Sequence, residues 1–462
     1  MKRILALILA LAMMLGLTAC GGGGPNIYGD KVPLQITVSD YGFGTSWLRN
    51  AVARFNEEYE DYDFGGGKTG VYAEVVLSEE RPDPSSGNDI YFLQNIMIDE
   101  IVNDDNVLDI NDIVTADLYD DGTKSIEDKL YEEDRDRYKG LDGNYKCLPT
   151  HETYYTISYD RTLFEEAGLL IAKPGSDKAS PYTFDKISDI LPEVYFLDTT
   201  IEGWEEDLSV GPDGISGTKD DGLPSSLMEF FTLCDYMKQI ANVHPLAAAG
   251  GNETWYHHCA LTAMTCALFG EDRLDGLFDF DTTIDVVTSF LYEGTDKSQP
   301  NPFYGLSYLQ KPNVKSVALT EETGYYTTWA TAKYWAFAWL ETMIREGWMA
   351  PGSTPTGSVK LAYETQAAFI NGGYQTATGV ADEVAMLSEG TYWYNESNKD
   401  SVGNIRNFNR LNPEVGDQDL RIMPLPTNIY TTVTGEDGTN TIEGLTESTK
   451  GRQNALMPGS YI

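Results

Sequence analysis

The sequence predicts an α/β protein of more than one lobe, and three observations carry that prediction. Past residue 30, strand-like and helix-like periodicities alternate, which is the pattern of parallel βαβ units rather than of a sandwich. The chain has 462 residues, more than the about 250–300 that a single hydrophobic core fills. Hydrophobic residues make up 41% and aromatic residues 12% of it, enough apolar surface to fold a chain this acidic.

The first thirty residues do not belong to that fold. Lys2 and Arg3 precede an apolar run at 4–17, too short to span a bilayer but of the length of a signal-peptide core. The run ends in Leu17-Thr18-Ala19-Cys20, followed by four glycines. This resembles the bacterial lipoprotein signal, which implies that residues 1–19 are removed and the thiol of Cys20 is acylated. The alternative is an ordinary secretory signal with a chance cysteine. Residues 20–30, rich in glycine, suit a flexible tether. No other stretch reaches 18 apolar residues, so contact with the membrane is expected through the anchor alone. The implied location is the outer face of the cytoplasmic membrane.

Charge and cysteine content exclude several classes. With 32 basic against 72 acidic residues the formal charge is -40, and loss of Lys2 and Arg3 with the leader makes it -42. Nucleic-acid and anionic-membrane binders need basic patches, so neither partner is expected. Five cysteines exclude a disulfide-dense scaffold. Cys147, Cys234, Cys259 and Cys266 contain no CxxC pair, and whether any two form a disulfide stays open. His257 and His258 are neighbours that point apart on a helix, which argues against zinc.

The elements follow in order. Residues 34–38 alternate apolar and polar as a strand does, and 40–45 form a turn-rich loop. Ser46 can then cap a helix with Leu48, Val52, Phe55 and Tyr59 on one face. Residues 71–77 and 89–93 read as the next strands. Residues 154–159 read as a strand, with a short helix at 163–168 ended by glycine. The Gly-, Pro- and Asp-rich stretch 172–224 reads as irregular. Ser226 and Glu229 fit a capping box that opens a helix. Further helices are expected at 282–292, 329–346 and 361–370, and weak strands at 420–425 and 454–457. There is no internal repeat.

Five segments in this order carry a family resemblance. They are the first strand, loop and helix ending Phe55-Asn56-Glu57-Glu58-Tyr59; the strand 89–93; the run from Tyr159-Asp160-Arg161 to Ala167-Gly168-Leu169; Leu223 to Phe230; and Ala367-Ala368-Phe369-Ile370-Asn371-Gly372-Gly373-Tyr374. Behind a lipoprotein signal, they resemble the extracellular solute-binding lipoproteins of carbohydrate ABC importers, the maltose-binding-like group of solute-binding protein family 1. The resemblance implies a two-lobed periplasmic-binding-protein-like fold of type II, each lobe a sheet flanked by helices, hinge-linked and closing on ligand held in an interlobe cleft. It places lobe one at 31–150 and 375–462 and lobe two at 151–374, with crossings near 149–155 and 369–374. Members usually continue beyond the segment matching 458–462, so the resemblance also implies a C-terminally truncated chain.

The implied function is capture of a sugar or oligosaccharide and its presentation to permease subunits, by a monomer without enzymatic activity. Sugars offer apolar ring faces edged by hydroxyls, so aromatic platforms beside polar groups are the side chains to look for. The chain has 29 Tyr and 8 Trp. Asp40, Tyr41 and Phe43 occupy the first βα loop, where α/β folds place ligands, and Gln94 and Asn95 leave the third strand at a comparable edge. Glu152 and Tyr154 sit at the first crossing, and the resemblance gives Glu152 a carboxylate role in the cleft. Asn252, Glu253 and Trp255 match a lobe-two loop carrying an aromatic and a polar pair. Tyr374 stands where the family commonly has a stacking Trp. The stripe Trp329, Trp335, Trp339 and Met343 reads as core.

The loop 210–222 could wrap calcium through Asp213, Asp220 and Asp221, although its spacing is not that of an EF-hand; solvated turn chemistry is the alternative, and no other cofactor is expected. Two further functions stay open. The pairs Tyr154-Tyr155 and Tyr325-Tyr326 suit a ferric-ion receptor, or an anion receptor, on the same fold. A surface-anchored glycoside hydrolase would need only two carboxylates at the right separation. No nucleophile elbow, P-loop, HExxH or dinucleotide fingerprint is present.

Overall fold

Strand β1 (Val32–Val38) buries Val32, Leu34, Ile36 and Val38. It leads into helix α1 (Ser46–Glu58), whose Leu48 and Val52 are buried with Tyr59 just beyond. Thr45, not Ser46, is the residue that caps this helix, and its hydroxyl accepts a hydrogen bond from Arg49 rather than from the backbone. Strands β2 (Val71–Leu77) and β3 (Ile90–Phe92) flank β1, both parallel to it, with Val32 opposite Val71 and Ile36 opposite Ile90. Asn56 joins helix to sheet: its amide nitrogen donates to the Ala73 carbonyl at 2.8 Å and its oxygen accepts from the Ala73 amide at 2.7 Å. One side chain thus satisfies both backbone groups of an edge-strand residue that would otherwise be unpaired.

The computed structural model describes residues 28–38, 44–78, 87–93, 98–117, 124–188, 191–270, 276–277, 279–291, 311–354, 358–376, 379–381, 383–393, 419–425, 430–434, 440–444 and 457–461. The chain divides into two compact units, with the boundary between Thr153 and Tyr154. The three-stranded parallel sheet belongs to the first. A smaller apolar cluster of Ile98, Val102, Val114, Tyr138 and Tyr145 completes that unit's core.

Strand β4 (His151–Asp160) spans the boundary between the units, and its second-unit part, from Tyr154 on, runs into helix α2 (Arg161–Glu166). The Asp160 carboxylate caps α2 by accepting from the Leu163 amide at 3.2 Å, and Gly168, at φ +63°, leaves the helix in the left-handed region. The stretch expected to be irregular contains an antiparallel hairpin, β5 (Ala179–Tyr182) with β6 (Val194–Leu197). Helix α3 (Leu227–Tyr236) has its cap where the sequence placed it, since Ser226 Oγ accepts from the Glu229 amide. The Glu229 carboxylate turns instead to the amide and hydroxyl of Ser225, so only half of the capping box forms. Strand β7 (His244–Ala247) and helix α4 (Glu253–Phe269) follow.

Two sequence expectations fail in this unit. Residues 282–292 form no helix: β8 (Thr283–Leu291) pairs antiparallel with β9 (Lys311–Ala318). Ile284 and Val286 are buried while Thr283 is exposed and Asp285 half-buried, so the period is two, and the β-branched Thr283, Ile284, Val286, Val287 and Thr288 fit a strand. Helices α5 (Thr331–Arg345) and α6 (Ala362–Ile370) lie where expected. The second failure is the return to lobe one after 374. Strand β10 (Val384–Gly390) pairs antiparallel with β4 and parallel with β7, and β11 (Leu420–Met423) pairs with the other side of β4, all within the second unit. Every residue of β10 is buried. Such a strand needs neighbours on both edges and cover on both faces, and this sheet, with α6 packed on it, supplies them. The unit's core joins Phe230, Phe231, Trp335, Trp339, Trp348 and Met386.

Candidate functional site

Among the described residues each unit has a strand edge that carries an aromatic side chain, Trp47 in the first and Tyr154 in the second. In the first unit β1, β2 and β3 are parallel, so their carboxyl ends share an edge. Ligands of α/β sheets bind outside such ends. Trp47, in the first turn of α1, stands at that edge 48% exposed, and its indole meets the Phe92 ring edge-on at 5.3 Å and 80°. Phe92 holds the indole in place while much of its surface faces solvent. The expected ligand residues Asp40, Tyr41, Phe43, Gln94 and Asn95 lie outside the described residues. The described segments ending at Val38 and Leu93 lead into them from this edge. Sequence reading missed Trp47 by treating 46–59 as a helix with one apolar face; the available signal was a Trp off that face, next to the loop.

In the second unit β7 and β10 are parallel, with Leu387 opposite Ala247, so their carboxyl ends coincide. Strand β4 runs the other way and starts at this same edge, with Tyr155 opposite Gly390. The half-buried Tyr154 and the turn and helix start carrying Asn252, Glu253 and Trp255 therefore come together, and Glu152 precedes Tyr154 by two residues on the same strand. The side chains of Glu152, Asn252, Glu253 and Trp255 lie outside the described atoms. Tyr154 is fixed by its backbone, whose amide donates to Thr391 Oγ1 at 3.0 Å and whose carbonyl accepts from the Thr391 amide at 2.7 Å. Gly250 is required at the turn, because a Cβ there would run into the carbonyl oxygens of Gly352 and Thr354.

Behind this edge lies a buried polar network that sequence reading did not anticipate. Glu389, 1% exposed, accepts from Gln366 Nε2 at 3.1 Å, the Gly390 amide at 3.0 Å and the Tyr392 hydroxyl at 2.6 Å. Trp393 donates to Ser158 Oγ at 3.1 Å and meets Phe369 edge-on. Tyr155 donates to the Ser388 carbonyl, and burial together with the Glu389 charge holds its phenol well above the usual range. A carboxylate engaged by three donors positions the edge and is poorly placed to carry protons. Tyr374 does not join this edge. It pairs with Ala381 in a short hairpin leading into the amino end of β10. The turn at the carboxyl end is instead Gly390-Thr391-Tyr392, signalled by a glycine closing the apolar run 384–387.

The calcium loop is closed by its own groups. Asp213 Oδ1 accepts from the Ile215 amide, Asp220 Oδ2 from the Asp213 amide and Asp221 Oδ2 from the Gly217 amide, at 2.7, 3.0 and 2.7 Å. Thr218 donates to Asp220 Oδ1. Only the Asp213–Ile215 bond is an Asx turn; the other two amide bonds cross the loop and engage carboxylate oxygens, whereas calcium wants six to eight converging oxygens. Among the described residues no group of three or more His, Cys, Asp or Glu could hold a metal ion. His257 Nε2 bonds the Ser353 carbonyl oxygen at 2.8 Å while His258 is exposed, so the two point apart as the helix requires.

No protein-family model and no curated protein matches the chain. Among solved structures it is similar to RafE from Streptococcus pneumoniae, at 11% identity over 93% of this chain and 76% of that one, with a TM-score of 0.42. It is also similar to the bacterial solute receptor AcbH, which prefers β-D-galactopyranose, at 12% over 85% and 66%, TM-score 0.39. A third is BlMnBP1, the mannobiose-bound binding protein of an ABC transporter from Bifidobacterium animalis subsp. lactis, at 12% over 91% and 70%, TM-score 0.39. The chain spans 66–76% of the length of these three.

Proposed function

We propose that this protein is the sugar-binding receptor of an ABC importer, a non-enzymatic subunit that takes a sugar or oligosaccharide and delivers it to permease subunits. The observation that carries this reading is Trp47: a large apolar face left in solvent, braced by Phe92, at the carboxyl edge of a parallel sheet. That is the surface a pyranose ring stacks on. Tyr154 and the turn leading to Trp255 supply polar and aromatic groups at the second unit's edge. In this reading Cys20 carries the lipid that tethers a monomer to the outer face of the cytoplasmic membrane, through the glycine-rich 20–30. The acidic surface keeps the protein soluble and off anionic membranes.

A ferric receptor built on Tyr154 and Tyr155 is not favoured, because adjacent strand residues face opposite sides and Tyr155 is buried on Ser388.

The test is titration calorimetry and thermal shift with raffinose, mannobiose and galactose, followed by analysis of the recovered sugar. One or more should bind and return intact, and Trp47→Ala should weaken that binding about three- to tenfold, the worth of one stacking contact. A cleaved product supports the hydrolase, stabilisation by iron alone supports the metal receptor, and sugar binding indifferent to Trp47 removes the proposed edge.

A further inference from the structure

Trp329 departs from the buried stripe in which the sequence placed it. Trp335, Trp339 and Met343 are 5% exposed or less, whereas Trp329 is 60% exposed, and Phe337, two helical turns on, is 59% exposed. Between them lies a groove of about 240 Å³ lined by Val287, Thr328, Trp329, Lys333, Tyr334 and Phe337. It is formed where the turn Gly324–Trp329 and the start of α5 meet β8. Two large aromatic side chains left this open, one in the turn before α5 and one on α5, are unusual for surface residues that only cover a core.

The groove is remote from the second unit's strand edge. Phe269, at the carboxyl end of α4, packs in one cluster with Ile284, Val286, Ala330 and Ala332, directly beneath the groove. The amino end of α4 is at the strand edge, and seventeen residues of helix separate the two by about 24 Å.

Lys333 sets the chemistry. It is half-buried among the aromatic side chains and has no carboxylate or hydrogen-bond partner among the described residues, in a chain with 72 acidic residues against 32 basic ones. A cation left unpaired in so acidic a protein, set between flat apolar faces, complements an anion that also has an apolar face. The volume is below the about 300–1,000 Å³ of drug-sized sites and suits a single ring lying on an open wall.

We propose that this groove is a second saccharide site, distinct from the strand edges, for a pyranose ring bearing a carboxylate. The ring lies on Trp329 and Phe337, the carboxylate meets the Lys333 ammonium, and the hydroxyl of Thr328 faces the ring's edge.

Saturation-transfer NMR on the chain without its leader, with glucuronate as probe and glucose as the neutral control, tests this. Glucuronate ring protons should receive saturation. Trp329→Ala and Lys333→Met should each weaken binding about tenfold or more, Trp47→Ala should leave it unchanged, and glucose should bind far more weakly. Trp329 and Trp47 are exposed and Lys333 is half-buried, and circular dichroism checks that the variants fold. The proposal fails if glucuronate receives no saturation, or if Lys333→Met leaves its binding intact. It fails also if Trp47→Ala rather than Trp329→Ala abolishes the signal, which would assign the sugar to the strand edge. A dimer in sedimentation that Trp329→Ala dissolves would show a second copy covering the groove and would equally overturn it.

Discussion

Cys147, Cys234, Cys259 and Cys266 are free thiols, which decides a point the residue spacing had left open. Burial raises the pKa of each, to about 11 for Cys147 and Cys259, because a thiolate loses its hydration inside the fold. A raised pKa keeps all four thiols protonated at pH 8, and at Cys147 and Cys259 only about one molecule in a thousand carries the reactive thiolate there. Native protein lacking Cys20 should therefore react with Ellman's reagent about a hundredfold more slowly than a free thiol, faster as pH climbs toward 11, and with all four thiols after unfolding. A rapid native phase at pH 8 would contradict these environments. Aromatic residues show the same dependence on surroundings. Trp335 and Trp339 are core as their spacing predicts, but Trp329 precedes the helix and is turned outward. Periodicity places a residue on a face only once the helix containing it has begun.

At the level of elements, local signals were read well where they are chemically sharp. The Ser226 cap, the Gly168 stop and the parallel strands of the first unit stand where the residues placed them. Residues 282–292 misled because Ile284, Val287 and Leu291 also match a helical spacing, and only pairing with β9 settles the matter in favour of period two. Strand β10 was missed because a short apolar run does not distinguish strand from helix. It is the most buried strand of the second unit, and Met386, wholly buried between β4 and β7, measures its importance. Met386→Ala should lower stability by about 2–5 kcal/mol, read as a shift of the urea midpoint with unchanged slope. A loss below about 1 kcal/mol would mean that the sheet closes over the gap.

Across the whole molecule the dominant quantity is charge. A net -40 on 462 residues makes the folded state repel itself, and salt screens that repulsion within about 10 Å at 0.1 M. Raising sodium chloride from 0.02 to 0.5 M should thus raise the melting temperature by several degrees, with potassium chloride equally effective, as screening rather than specific binding requires. Dependence on calcium alone would point instead to the Asp213–Asp221 loop. Among the described residues no helix is long and apolar enough to cross a membrane.

The sequence by itself determined the α/β class, the order of the first strands and helices, the Ser226 cap and the Gly168 stop, because each follows from interactions within a few residues. Tertiary structure alone decided that β10 and β11 stay in the second unit, that the backbone at Tyr374 pairs with Ala381 in a hairpin at the amino end of β10, and that Trp47 and Trp329 remain in solvent. Those outcomes depend on which distant strand supplies hydrogen bonds and which core has room for a side chain, and neither quantity is written in a local pattern.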